Sequence, residues 1–152
     1  MRAPYQVLVI PFRLRIAEPE FAVLKRSDAA YWQFVAGGGE KGETILEAAQ
    51  REVREEIGIT GRFVQLDSHA TVPRDCFVEA HRWRSDVYVI PEYSFAVDAG
   101  DAEIILSNEH TAVQWVSYPH ARALLRWDSN RTALWEVHER LKSGKLYPES
   151  AS

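Results

Sequence analysis

One stretch, Gly37 to Ile59, reads GGGEKGETILEAAQREVREEIGI and constrains the fold more than any other part of the chain. Leu46, Ala49, Val53 and Ile57 recur at three- and four-residue intervals, so a helix here carries an apolar stripe that has to be buried. Thr44 and Glu47 have the spacing of a capping box, which predicts a start near residue 44. Gly58 can take the left-handed stop, which predicts an end near residue 58. The same helix carries three acids within two turns: Glu52 and Glu56 one above the other, and Glu55 on the adjoining side.

At about 100° per residue the acids centre roughly 120° around the helix from the apolar stripe. Burying the stripe therefore leaves the acids at the edge of a cleft, with the small Ala48 beside them leaving room for ions and phosphates. Crowded carboxylates repel, and a divalent cation relieves the repulsion. Oxygen-only ligation points to Mg²⁺, with Mn²⁺ as the alternative. A solvated acidic face is the competing reading. Arg51 stands one turn before Glu55, where an ion pair can orient that carboxylate. Ahead of the helix, Gly37, Gly38, Gly39 and Gly42 predict a loop able to adopt positive φ and to bring carbonyls and Glu43 towards the acids.

The segment resembles a complete Nudix box, G-x5-E-x7-R-E-U-x-E-E-x-G-U with U a bulky aliphatic residue, filled by Gly37, Glu43, Arg51, Glu52, Val53, Glu55, Glu56, Gly58 and Ile59. The resemblance implies Mg²⁺-dependent attack of water on a nucleoside diphosphate linked to another group. It implies that Glu52, Glu55 and Glu56 ligate metal, that the Gly37 carbonyl adds an oxygen, and that Glu43 supports or shares a site. Bound cations stabilise charge building on phosphoryl oxygens, so no covalent nucleophile is required. There is no G-x-S-x-G elbow and no Walker loop, which leaves acyl transfer and ATP-driven work without support. The lone Cys76 reads as a small apolar filler, and His69, His110, His120 and His138 lack zinc-ligand spacing.

With 152 residues, 46% hydrophobic, the chain is long enough for one domain with a real core, expected over residues 1–146, with 147–152 a flexible tail. A net charge of −4 argues against a nonspecific nucleic-acid surface. The apolar N-terminal run is too short for a membrane span and lacks a small-residue cleavage site, so a cytoplasmic protein is expected, as a monomer or homodimer.

Strands are predicted over 6–15, 21–25, 32–35, 61–70, 92–97 and 112–116, the first two forming a hairpin and the first showing the clearest alternation. Residues 71–86 read as an irregular connection near a cleft, with Arg74, His81, Arg82 and Arg84 as candidate phosphate contacts. Helices are predicted over 119–127 and 131–142. The order fits an α/β (α+β) fold, the α/β/α sandwich with a mixed sheet and a loop-helix-loop box that the Nudix resemblance implies.

A second resemblance bears on substrate. The pieces YWQFVAGGGEKGET, NEHTAVQW and WDSNR are similar to those of the bacterial dihydroneopterin triphosphate diphosphatases, a folate-pathway branch of the family. It implies cleavage of a pterin or deoxynucleoside triphosphate to monophosphate and pyrophosphate. It also implies that Glu109 joins the metal cluster, as ligand or as general base. An acid capping the loop before strand 112–116 is the structural alternative. Trp115 and Trp135 are read as core. Trp32, beside Gln33, and Trp127 are the candidates for ring contact, and Arg26 for the distal phosphates. Two other readings stay open: hydrolysis of a dinucleoside polyphosphate or ADP-ribose, and a Nudix-fold regulator that binds a nucleotide without cleaving it.

Overall fold

The strand β1, Arg2–Arg13, explains the architecture because it is buried on both faces. Val7 and Val9 feed a core that includes Val53 and Ile57 of the helix α1, Ile45–Ile57. Leu8, Ile10 and Phe12 feed the opposite core, with Ala121 of α2, Tyr118–Leu124, and Leu134 and Val137 of α3, Asp128–Ser143. A strand covered on both sides reads as a continuous apolar run, and that corrects the alternation expected of it. Each fully buried aliphatic side chain contributes about 1.5–3 kcal/mol. The computed structural model describes residues 1–148.

Among the described residues the sheet is mixed and seven-stranded. β1 pairs in parallel with β6, Val89–Asp98, and β6 in antiparallel with β5, Phe63–Pro73. On its other side the end of β1 forms the expected hairpin with β2, Glu20–Arg26, and β2 pairs with β3, Trp32–Gln33, and β7, His110–Val116. With α1 on one face and α2 and α3 on the other, the layers form the expected α/β/α sandwich.

Four local expectations are corrected. The glycines are not a loop: β4, Val35–Glu40, pairs with β1 through Gly37 and Gly38, and of the four only Gly42 has positive φ. Leu46 is exposed whereas Ala48 is fully buried against the sheet, so the buried side of α1 is rotated from the one expected. The connection after β5 is not irregular throughout but holds two 3-10 turns, Arg74–Cys76 and Val78–Arg82, with a small core of Ala80, Trp83 and Ile90. Trp135 is 53% exposed, because α3 buries Ala133, Leu134 and Val137 and position 135 lies about 100° round from Leu134.

α2 stops at Leu124, where Arg126 donates its amide to the Trp32 carbonyl, and α3 starts three residues earlier than predicted. At the chain's end Leu146 is buried and the Tyr147 ring lies 3.7 Å from the Arg62 guanidinium. The remainder of the expected tail, 149–152, lies outside the described residues.

Candidate active site

Both ends of α1 are closed as the sequence predicts, and this sets the height of its acids. Thr44 accepts from the Glu47 amide at 3.1 Å while Glu47 accepts from the Thr44 amide at 2.9 Å, a capping box worth about 1 kcal/mol. Gly58, at φ 69°, donates to the Val53 and Arg54 carbonyls. The carbonyls of Glu56 and Ile57, which the helix itself leaves unpaired, accept from the amides of Ser107 and Ile105 at 3.0 Å each. That stitch anchors the segment after β6 onto the end of α1 and delivers Glu109 beside Glu56.

Arg51 organises the acids. Its Nε and Nη2 donate to the two oxygens of Glu43 at 2.7 and 2.9 Å, Nη1 donates to Glu52 at 2.9 Å and to Glu55 at 3.2 Å, and Nη2 also donates to the Gly38 carbonyl at 2.8 Å. This planar fork suits a bidentate carboxylate in a way an ammonium cannot. It holds the Glu43 carboxyl below the usual range. The ion pair with Glu55 exists, but the closer partner is Glu43.

Glu52 lies directly on the backbone of Gly37, where any Cβ would overlap its carboxylate. The glycine is therefore required for close approach and not for a turn. Gly37, Glu52 and Glu109 line one cavity of about 750 Å³. Glu56 is 3% exposed, and its Oε2 has no hydrogen-bond partner. Burial first, then the neighbouring Glu109 carboxyl and the charge of Glu52, push the Glu56 carboxyl up to about 10. Burial likewise raises Glu52, against the pull of Arg51.

The donor set fits a hard divalent cation: a buried carboxyl with an orphaned oxygen, flanked by two further carboxylates, lacks only positive charge. Among the described residues no group of three His, Cys, Asp or Glu is closed to coordinating geometry as it stands. Glu55 is the expected ligand that is not drawn in. Its side chain is 59% exposed, held on the solvent side by Arg51, and it lines neither cavity.

The profile of the NUDIX domain matches residues 6–135. The chain belongs to the Nudix family. It is similar to the dihydroneopterin triphosphate diphosphatase of Escherichia coli (strain K12), 31% identical over 137 residues, covering 88% of this chain and 91% of that one. It is also 31% identical over 126 residues to the asymmetrical bis(5'-nucleosyl)-tetraphosphatase of Rattus norvegicus, covering 82% of each. A crystal structure from Listeria monocytogenes, assigned as a Nudix hydrolase, superposes with a TM-score of 0.86 at 46% identity, covering 97% of this chain and all of that one. The protein is thus a Nudix hydrolase acting on pyrophosphate bonds.

In this Nudix domain a second cavity, about 770 Å³, opens beside the acidic one and shares Gln6, Arg26, Gln33, Ala36, Cys76 and Phe77 with it. Trp127 lines it, edge-on to Tyr31 with ring centroids 5.5 Å apart. Arg26 sits at the junction with its guanidinium on Asp28 at 2.6 and 2.5 Å.

The other basic candidates are placed elsewhere. Arg74 donates to the carbonyls of Ala80, Arg84 and Val87, so it clamps its own loop and is not a free phosphate contact. Arg84 pairs with Asp86 in solvent, and His81 and Arg82 line neither cavity. Trp32 packs on the core and lines neither.

Sequence reasoning missed Arg2, whose buried Nε lacks a partner and which lines the acidic cavity, and the pair of half-buried Gln6 and buried Glu92. Nothing near the N-terminus marks Arg2. Glu92 had a signal: an acid at the start of the apolar run EYSFAV, in a strand covered on both faces.

Proposed function

We propose that this Nudix hydrolase cleaves a pterin or nucleoside triphosphate to the monophosphate and pyrophosphate, with Mg²⁺ as its cofactor and residues 1–146 as one catalytic domain. The observation that carries the reading is the pair of joined cavities. One is acidic and built on Gly37, Glu52 and Glu109; the other is walled by aromatic and apolar groups including Trp127, Tyr31 and Val72. A ring in the second places its phosphate chain across Gln33 and Ala36 into the first. The name of the E. coli relative is consistent with this assignment.

Glu52, Glu56 and Glu109, with the Gly37 carbonyl and Glu55 at the solvent edge, would hold the cation. A cation held there would supply charge neutralisation for phosphoryl oxygens and a lowered pKa for an attacking water. The chain's own residues do the rest. Arg51 fixes Glu52 against the strand and ties Glu43 beneath it. The stitch from Ser107 to Glu56 keeps Glu109 within reach of the same water, as ligand or as base. Arg2 and Arg26 supply positive charge on the far wall, where the leaving pyrophosphate gathers charge.

The rat relative favours a second reading, hydrolysis of a dinucleoside polyphosphate, in which the wider cavity takes one of two nucleosides. A Mg²⁺-containing substrate panel separates them. Pyrophosphate released from dihydroneopterin triphosphate or a deoxynucleoside triphosphate supports the first. Asymmetric cleavage of a dinucleoside tetraphosphate, or AMP from ADP-ribose, with triphosphates left intact, replaces it. Tight binding without product makes the protein a regulator.

A further inference from the structure

The apolar row that β1 and β6 present to α3 turns polar at one end. Leu8 and Ile10 give way to Gln6, and Ala96 gives way to Ser94 and Glu92. Gln6 and Glu92 are register partners in the parallel pair, so their side chains lie on the same face and meet. Glu92 is only 4% exposed and lines the wider cavity.

The hydrogen bonding at this spot has a direction. Arg2 donates to Gln6 Oε1 at 3.2 Å, which fixes that atom as the acceptor and leaves Nε2 to donate to Glu92 Oε2 at 2.5 Å. Glu92 Oε1 has no partner. A buried carboxylate oxygen without a donor is costly in the free protein, and a ligand that brings N–H groups to it recovers that cost on binding.

We infer that Glu92 reads the heterocycle, selecting a 2-amino-4-oxopyrimidine edge, the adjacent ring N–H and exocyclic amine that guanine and pterin share. A carboxylate offers only acceptors and that edge offers two neighbouring donors, so the two are complementary. Adenine sets an acceptor nitrogen beside its amine and meets the carboxylate with a lone pair. Hypoxanthine keeps the ring N–H but lacks the amine. The assignment rests on the triphosphate reading and narrows it to one ring class. It also gives Gln6 a positioning role, transmitting the orientation imposed by Arg2 from the phosphate cavity to the ring cavity.

The test compares kcat/KM for dGTP, dITP and dATP in the wild type and in Glu92→Gln, together with affinities for dGMP and dIMP measured without turnover. The wild type is expected to favour dGTP over dITP by about tenfold to a hundredfold, the value of a charge-assisted hydrogen bond. In Glu92→Gln, Gln6 still donates, so the new amide turns its oxygen to Gln6 and its NH₂ to the cavity. The dGTP preference over dITP should collapse towards unity, with dATP gaining relative to dGTP. A merely structural Glu92 would lower all three substrates together and leave the ratios unchanged, which would overturn the assignment. So would equal wild-type affinity for dGMP and dIMP. A wild type that cleaves no triphosphate yet binds dGMP more tightly than dIMP retires the proposed reaction and keeps the ring reader.

Discussion

Glu56 shows how much a neighbourhood can change one side chain. On an isolated helix it is one of three equivalent acids; here it is buried, its carboxyl pushed up to about 10 by burial and by Glu109 and Glu52, with an oxygen left unpaired. Glu56→Gln keeps the shape and removes the charge a cation needs. Turnover should fall by several orders of magnitude with the circular dichroism spectrum unchanged, and near wild-type activity would count against Glu56 as a ligand. Arg51→Lys tests the layer beneath. A lysine cannot reproduce the fork that grips Glu43 and also reaches Glu52 and Gly38, so Mg²⁺ affinity measured by calorimetry should weaken by about 10–100-fold.

Among the elements, α1 is specified locally by its caps, whereas α3 depends on what it docks against. Glu136 on α3 accepts from the Asp67 and Ser68 amides at 2.8 and 2.7 Å and from Ser68 Oγ at 2.6 Å, and pairs with Arg140 at 2.8 Å, which fastens the helix to β5. Burial opposes its charge, but Ser68, the two amides and Arg140 outweigh burial and hold the carboxyl below its usual range. With the folded value depressed, the contribution is complete above the unfolded value of about 4.3 and is lost as pH falls through the folded one. Glu136→Gln should therefore cost about 1–2 kcal/mol near neutral pH. In urea melts the gap from wild type should close below about pH 4. A gap that widens on acidification would contradict this.

Across the whole molecule, the acidic cavity is assembled from elements far apart in sequence: Arg2 of β1, Gly37 of β4, Glu52 of α1 and Glu109 just before β7. Ligands that bind only the folded state raise its stability, so Mg²⁺ at a hundred times its Kd should add about 2.7 kcal/mol and raise Tm accordingly. The same addition to Glu56→Gln should move Tm far less. Among the described residues no helix is long and apolar enough to cross a membrane.

The α1 helix, its two caps and its acid spacing were legible in the chain because each depends on residues a few positions apart. Hydrogen bonding and periodicity at that range are encoded locally. What only tertiary structure decided has partners remote in sequence. The glycines became a strand because β1 offered an edge, and Gly37 became necessary because Glu52 came to rest on it. Ala48 was buried and Leu46 left out by the angle at which the helix docked. Arg74 was spent on its own loop, and Arg2, Gln6 and Glu92 met across a parallel pairing that no local pattern announces. Periodicity names a face, but where that face lands is set by packing against elements the local chain does not contain.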